Sequence, residues 1–139
     1  GYISPEMHLY FNNGEDTATV VASGLHDNVG CFRRITPEMR EKAQQWLDAL
    51  GIGYTADRMM RTLSSGEQRM ALLARTFIKN APLLILDEPL HGLDMMQKRL
   101  VAQVVTRMLE SEGRTIIYVT HYEAEIPSEI TRIFRLGKR

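Results

Sequence analysis

The chain has 139 residues, 44% of them apolar, which suits one globular domain or part of a larger one. Its 17 Lys and Arg residues balance 17 Asp and Glu residues, so neither a nucleic-acid footprint nor an acidic tail is present, and no nucleic-acid partner is expected. A single cysteine, Cys31, excludes an internal disulfide; with no membrane-length apolar run and no signal peptide, the expected setting is cytoplasmic.

From Gly1, which reads as the start of an excised piece, to Arg34 the pattern is ambiguous. Short apolar runs alternate with glycines at 14, 24 and 30. The Tyr, His and Met residues scattered over 2–11 read as core or loop, and Cys31 has no activating neighbour. "TPEMREKAQQWLDALG" then predicts a helix. Thr36 suits the cap, Pro37 the first turn and Gly51 the end, while Met39, Ala43, Trp46, Leu47 and Leu50 share one face.

From Ser65 helix and strand alternate. Residues 66–80 predict a helix with Met70, Leu73, Ala74, Phe77 and Ile78 inward. "LLILD" (83–87) reads as a strand covered on both faces, and 95–110 as a helix burying Leu100, Val101, Val104, Val105 and Met108. "TIIYVT" (115–120) predicts a second buried strand and "RIFRL" (132–136) a third. Strand, helix and strand at this spacing form a right-handed unit of a parallel sheet, so the fold class is α/β. Ligands of such sheets bind at the carboxyl ends of the strands, where Asp87, Glu88, Thr120 and His121 collect.

The chemistry of each piece has two readings. In "LSSGEQ", Ser64 with Glu67, or Ser65 with Gln68, has capping-box spacing, and Gly66 allows close backbone approach. The start of that helix is an ordinary cap or an anion site of free N–H groups. Asp87 suits a magnesium ion and Glu88 an attacking water, or both are exposed strand-end acids before a Pro-containing turn. Asp94 caps the next helix in either case, and His121 alone would read as a turn histidine.

Taken in order, "LSSGEQR", "LLILDEP", "HGLD" and "IIYVTH" resemble the signature, Walker B, D-loop and switch-histidine motifs of ATP-binding cassette (ABC) ATPases, a P-loop NTPase fold. The resemblance implies one truncated cassette, with residues 1–62 as the Q-loop region and helical subdomain and 63–139 as the later part of the ATPase core. More narrowly, "SPEMHLYF", "VVASGLHDNVG" and "LSSGE" resemble a duplicated soluble cassette type associated with bacterial molybdenum transport and photorepair.

The implied ligands are ATP and Mg²⁺. Glu88 would activate water, His121 would contact the γ-phosphate, and Asp87 would hold the magnesium shell. Ser64, Ser65, Gly66 and Glu67 would face nucleotide across a head-to-tail interface, with Asp94 connecting the two sites. The implied partners are a second cassette and a membrane permease, placing the protein in the cytoplasm or peripherally at the inner membrane.

Two positions depart from the family pattern. Ser65 stands where glycine is usual and Glu67 where glutamine is usual, and an acid near a γ-phosphate repels it unless it is turned away, protonated or engaged in capping. No glutamine precedes Gln44, so Glu6 is the stand-in at the Q-loop.

The sequence also lacks a phosphate loop of the Gly-x-x-x-x-Gly-Lys-Ser/Thr type. Its one Gly-Lys pair is Gly137-Lys138, with Arg132 and Arg139 at the other required positions. The loop is expected upstream of Gly1, and the chain alone is expected to turn over no ATP. Uncovered strand edges would then favour self-association. The alternatives are a DNA-repair or chromosome-maintenance ATPase of the same superfamily, whose coiled-coil heptads residues 1–62 lack, and a non-catalytic interaction module.

Overall fold

The structure, a computed structural model, describes residues 2–3, 14–26 and 34–137. The readings attached to Glu6, Cys31 and residues 4–11 lie outside the described residues. Seven principal elements follow in order: β1 (Tyr2–Ile3), α1 (Thr17–Ala22), α2 (Pro37–Ala49), α3 (Ser65–Ile78), β2 (Leu83–Asp87), α4 (Met95–Leu109) and β3 (Thr115–Val119).

Each long helix starts at a side-chain cap. Thr36 accepts from the Met39 N–H ahead of Pro37, and Asp16 accepts from the Thr19 N–H at the head of α1. The predicted apolar face of α2 turns inward: Ala43, Leu47 and Leu50 are buried, and Trp46 meets Phe77 of α3 with ring centroids 5.6 Å apart. Helix α1 packs against both α2 and α3. The segment after α1 comes close to α3 because residue 24 is glycine; a Cβ there would lie 2.3 Å from the Arg75 carbonyl oxygen.

The sheet is parallel throughout, in the order β1-β2-β3. Tyr2, Ile85 and Ile117 form one row across it, and Ile3, Leu86 and Tyr118 form the next. Because alternate residues face opposite sides, these rows belong to different faces. The face of Ile3, Leu84, Leu86, Ile116 and Tyr118 joins the core with α3 and α4. On the other face Tyr2, Leu83, Ile117 and Val119 are 44 to 48% exposed.

Two expectations are thereby corrected. The strands at 83–87 and 115–120 are covered on one face, because the helices lie on that side of the described sheet. No strand forms at 132–136 either. Residues 131–137 have no regular structure, and Ile133, Phe134 and Leu136 are 54, 86 and 97% exposed. A strand needs a hydrogen-bonded neighbour, and this segment pairs with no strand of the described sheet.

Arg40 of α2 clamps the helical part. Its guanidinium meets Asp16 at 3.1 Å and Asp57 at 2.7 Å, joining α1, α2 and the turn after α2. Burial alone would raise the Asp16 carboxyl pKa, but bonds from Thr19 and Arg40 outweigh it and hold it below the ordinary value. A depressed folded pKa means the contribution is present above about pH 4 and is lost as pH falls through the folded value.

Removing the cap and the Arg40 partner together, Asp16→Ala should lower stability by about 1–2 kcal/mol at pH 7 in a urea titration. That difference should shrink at acid pH. The apolar sheet face generates a second expectation, for association between copies of the chain. Sedimentation velocity at tens of micromolar should show a species above the monomer mass that dissociates on dilution; a single, concentration-independent monomer contradicts it.

Candidate functional site

Two groups of polar residues flank the head of α3. The first is the helix start itself. Ser64 is the N-cap: its hydroxyl accepts from the Glu67 N–H at 3.1 Å, and Glu67 Oε1 accepts from the Ser64 N–H at 2.9 Å. Of the two capping pairs open in the sequence, this one forms. Gln68 instead donates to the Met60 carbonyl at 2.9 Å.

The N–H groups of Ser65 and Gly66 belong to the first turn, where a helix provides no internal acceptor. A short 3₁₀ turn (Gly53–Thr55) brings in a further residue: the Tyr54 hydroxyl donates to Glu67 Oε2 at 2.6 Å. That bond, then the Ser64 backbone donor, holds the Glu67 carboxyl below its ordinary pKa, with Arg58 adding a smaller favourable charge.

The head of α4 is its neighbour. Asp94 caps α4 in a second capping box with Gln97, as expected for its local role. A Cβ on Gly66 would lie 2.9 Å from Gln97 Oε1, so glycine lets the two helix starts pack closely.

The second group lies at the carboxyl ends of β2 and β3. The strand stops at Asp87, and Glu88 adopts φ +48°, the left-handed region that non-glycine residues seldom occupy. Its N–H donates to the Val119 carbonyl at 2.8 Å, and its Oε1 accepts from the His121 N–H at 2.9 Å. The His121 Nε2 atom is 3.4 Å from the same oxygen. The Glu88 side chain is only 14% exposed, whereas that of His121 is 87% exposed.

Asp87 is half-buried, and its carboxylate has no partner among the described residues. Thr120 donates to Glu125, which also meets Lys98 of α4 at 3.2 Å, fixing the segment that follows His121. Beside Glu88 a cavity of about 750 Å³ opens between α4 and that segment, lined in part by Val101, Tyr118 and Ile126.

Arg69 connects the groups. It is 7% exposed, and its guanidinium donates to the Glu88 carbonyl at 2.8 Å and the Asp87 carbonyl at 3.4 Å. Glu88 and His121 are therefore brought together, and Gly66 packs against Gln97, the capping partner of Asp94, with Arg69 running between the two groups. Sequence reasoning passed over Arg69, Tyr54 and Gln97. Only Arg69 carried a signal: a charged residue four positions before Leu73 on the buried face of α3 needs an internal partner.

Comparison with known proteins gives the family and the fold. The family model described as ABC transporter matches residues 3–91. The ABC transporter ATP-binding protein ModF of Escherichia coli K12 is 40% identical over 133 residues, covering 94% of this chain and 27% of that protein. The uncharacterized ABC transporter ATP-binding protein YlmA of Bacillus subtilis 168 is 35% identical over 127 residues, covering 91% and 48%. The chain thus spans a quarter to a half of these relatives. Among solved structures, the dimeric post-hydrolysis state of the ATP-binding cassette MJ0796 bound to ADP and Pi superposes with a TM-score of 0.76 at 21% identity, covering 90% of this chain and 53% of that one. Among the described residues no helix is long and apolar enough to cross a membrane. By its family match, its ordered motifs and its fold, the chain belongs to the ABC transporter family, as a segment of the ATPase domain.

Proposed function

We propose that this chain supplies the signature, Walker B, D-loop and switch-histidine parts of a cassette pair that binds and hydrolyses ATP in the cytoplasm. The observation that carries the proposal is the Glu88–His121 arrangement. A nearly buried carboxylate stands at the ends of two parallel strands, with Oε1 held by the His121 N–H and Oε2 without a partner among the described residues. The free oxygen can take a proton from an attacking water, while His121, far more exposed, can donate to a phosphate oxygen. Phosphoryl transfer needs chiefly such positioning and charge stabilisation.

The donor set around Asp87 suits magnesium. One unpartnered carboxylate fits an ion that draws its other oxygens from nucleotide and water, and no cluster of three ligating side chains is found among the described residues. Asp87 would hold that shell, and the bound cation supplies neutralisation of phosphate charge. Across a head-to-tail interface, Ser64, Ser65 and Gly66 would donate to the phosphate of a nucleotide seated on the phosphate loop of another segment. Asp94 would link the two sites.

A membrane permease completes the proposed assembly. Molybdenum is the finer element of the proposal, carried by the narrower sequence resemblance alone. Relatives of the same segment are named for thiamine import and zinc transport, which supports a cargo chosen outside it.

In an ATP-hydrolysing assembly containing this chain, Glu88→Gln should keep Mg–ATP binding and lose at least ~10²-fold in single-turnover hydrolysis. His121→Ala should also slow turnover, whereas Met108→Leu, a swap inside the core, should not. An unchanged single-turnover rate in Glu88→Gln would assign the base elsewhere.

A further inference from the structure

Glu67 poses an electrostatic problem that the structure answers. If the head of α3 receives a phosphate, a carboxylate three residues from the cap is a like charge within the same turn. A glutamate at this position can point outward along the helix, towards the incoming anion, or fold back over the N-cap. Here it folds back, and both oxygens are engaged. Oε1 takes the Ser64 N–H at 2.9 Å, and Oε2 takes the Tyr54 hydroxyl at 2.6 Å.

The capping bond alone holds one oxygen and leaves the other free to swing. The phenol supplies the second point of attachment. Tyr54 is 65% exposed, so little of its ring is committed to the core, and the hydroxyl bond to Glu67 is its distinctive contact. The turn presenting it is itself anchored: the Thr55 hydroxyl donates to the Ile52 carbonyl, and Gln44 donates to the Gly53 carbonyl.

Resting on the cassette reading above, we infer that Tyr54 is a positioning residue: its phenol pins the Glu67 carboxylate back over Ser64, keeping it off the Ser65 and Gly66 N–H groups that would receive phosphate. Among the described residues, the charged and titratable groups acting on Glu67 are Tyr54 and, at longer range, Arg58. Both favour its ionised form. The carboxylate therefore stays charged at neutral pH, and its placement, not its protonation, controls the repulsion. The tyrosine in turn has its ionisation disfavoured, first by the bond to Glu67, and remains a donor.

The test mixes the full chain with a P-loop-bearing cassette domain of a relative and measures Mg–ATP affinity, with thermal melting as a check on folding. Tyr54→Phe should weaken affinity about three- to fivefold, the scale of an exposed charge interaction. In the Glu67→Gln background the same substitution should have no effect, because a neutral amide does not repel phosphate. NMR titration should show the Glu67 pKa rising on Tyr54→Phe. Equal weakening in both backgrounds, or none in the Glu67 background, overturns the inference. Ser65→Glu tests the underlying reading separately, since an acid at the first helical position favours the helix but would block an anion. If Ser65→Glu leaves affinity unchanged, the cassette reading of this helix start fails; if it weakens affinity while Tyr54→Phe does not, only the role of Tyr54 fails.

Discussion

The buried guanidinium of Arg69 sits one turn inside α3 and donates to main-chain carbonyls at the end of β2, 2.8 Å from that of Glu88. A charge so far from water needs strong acceptors, and the chain provides them by leaving the strand at Asp87. The left-handed turn at Glu88 is uncommon for a residue with a side chain and costs on the order of 1–3 kcal/mol. Four bonds hold it there: the Glu88 N–H donates to the Val119 carbonyl, the Glu88 carbonyl accepts from Arg69 and from the His91 N–H, and the Glu88 carboxylate accepts from the His121 N–H. The same contacts bring the head of α3 and the ends of both strands into one arrangement. Strain at Glu88 and the burial of Arg69 are thus two sides of one constraint.

From that constraint the division of the molecule follows. The polar ends of the helices and strands gather between α3, β2, β3 and α4, while the apolar mass lies between the helices and one face of the sheet. The opposite sheet face is apolar and open. The candidate site and the open apolar face therefore sit on the same small sheet. A carboxylate poised over a strand end has the makings of a base, yet the sequence holds no loop to cradle the phosphates on which it would act.

Much of this was legible in the sequence, for physical reasons that differ between elements. α2, α3 and α4 announce themselves by caps and helical spacing, and the reading of 83–87 as a strand rests on a continuous apolar run that ends in an acid pair. Asp94 capping α4 and Ser64 pairing with Glu67 are local effects, readable at three-residue spacing. What the pattern misjudged was coverage: "TIIYVT" looks the same whether one face or two are buried, because burial depends on elements elsewhere. "RIFRL" has strand composition but no neighbour in the described sheet. Tyr54 was hidden for another reason. Its partner lies 13 residues away, beyond a second 3₁₀ turn (Met60–Thr62), a distance no periodicity spans.

If these residues form one part of a composite nucleotide site, its phosphate cradle has to come from another segment. Isothermal calorimetry with Mg–ATP tests it most directly, first on the chain alone and then with a P-loop-bearing cassette domain added. The chain alone should bind with roughly millimolar affinity or weaker, and binding should become micromolar once the phosphate loop is supplied. Low-micromolar, magnesium-dependent binding by the chain alone would contradict it.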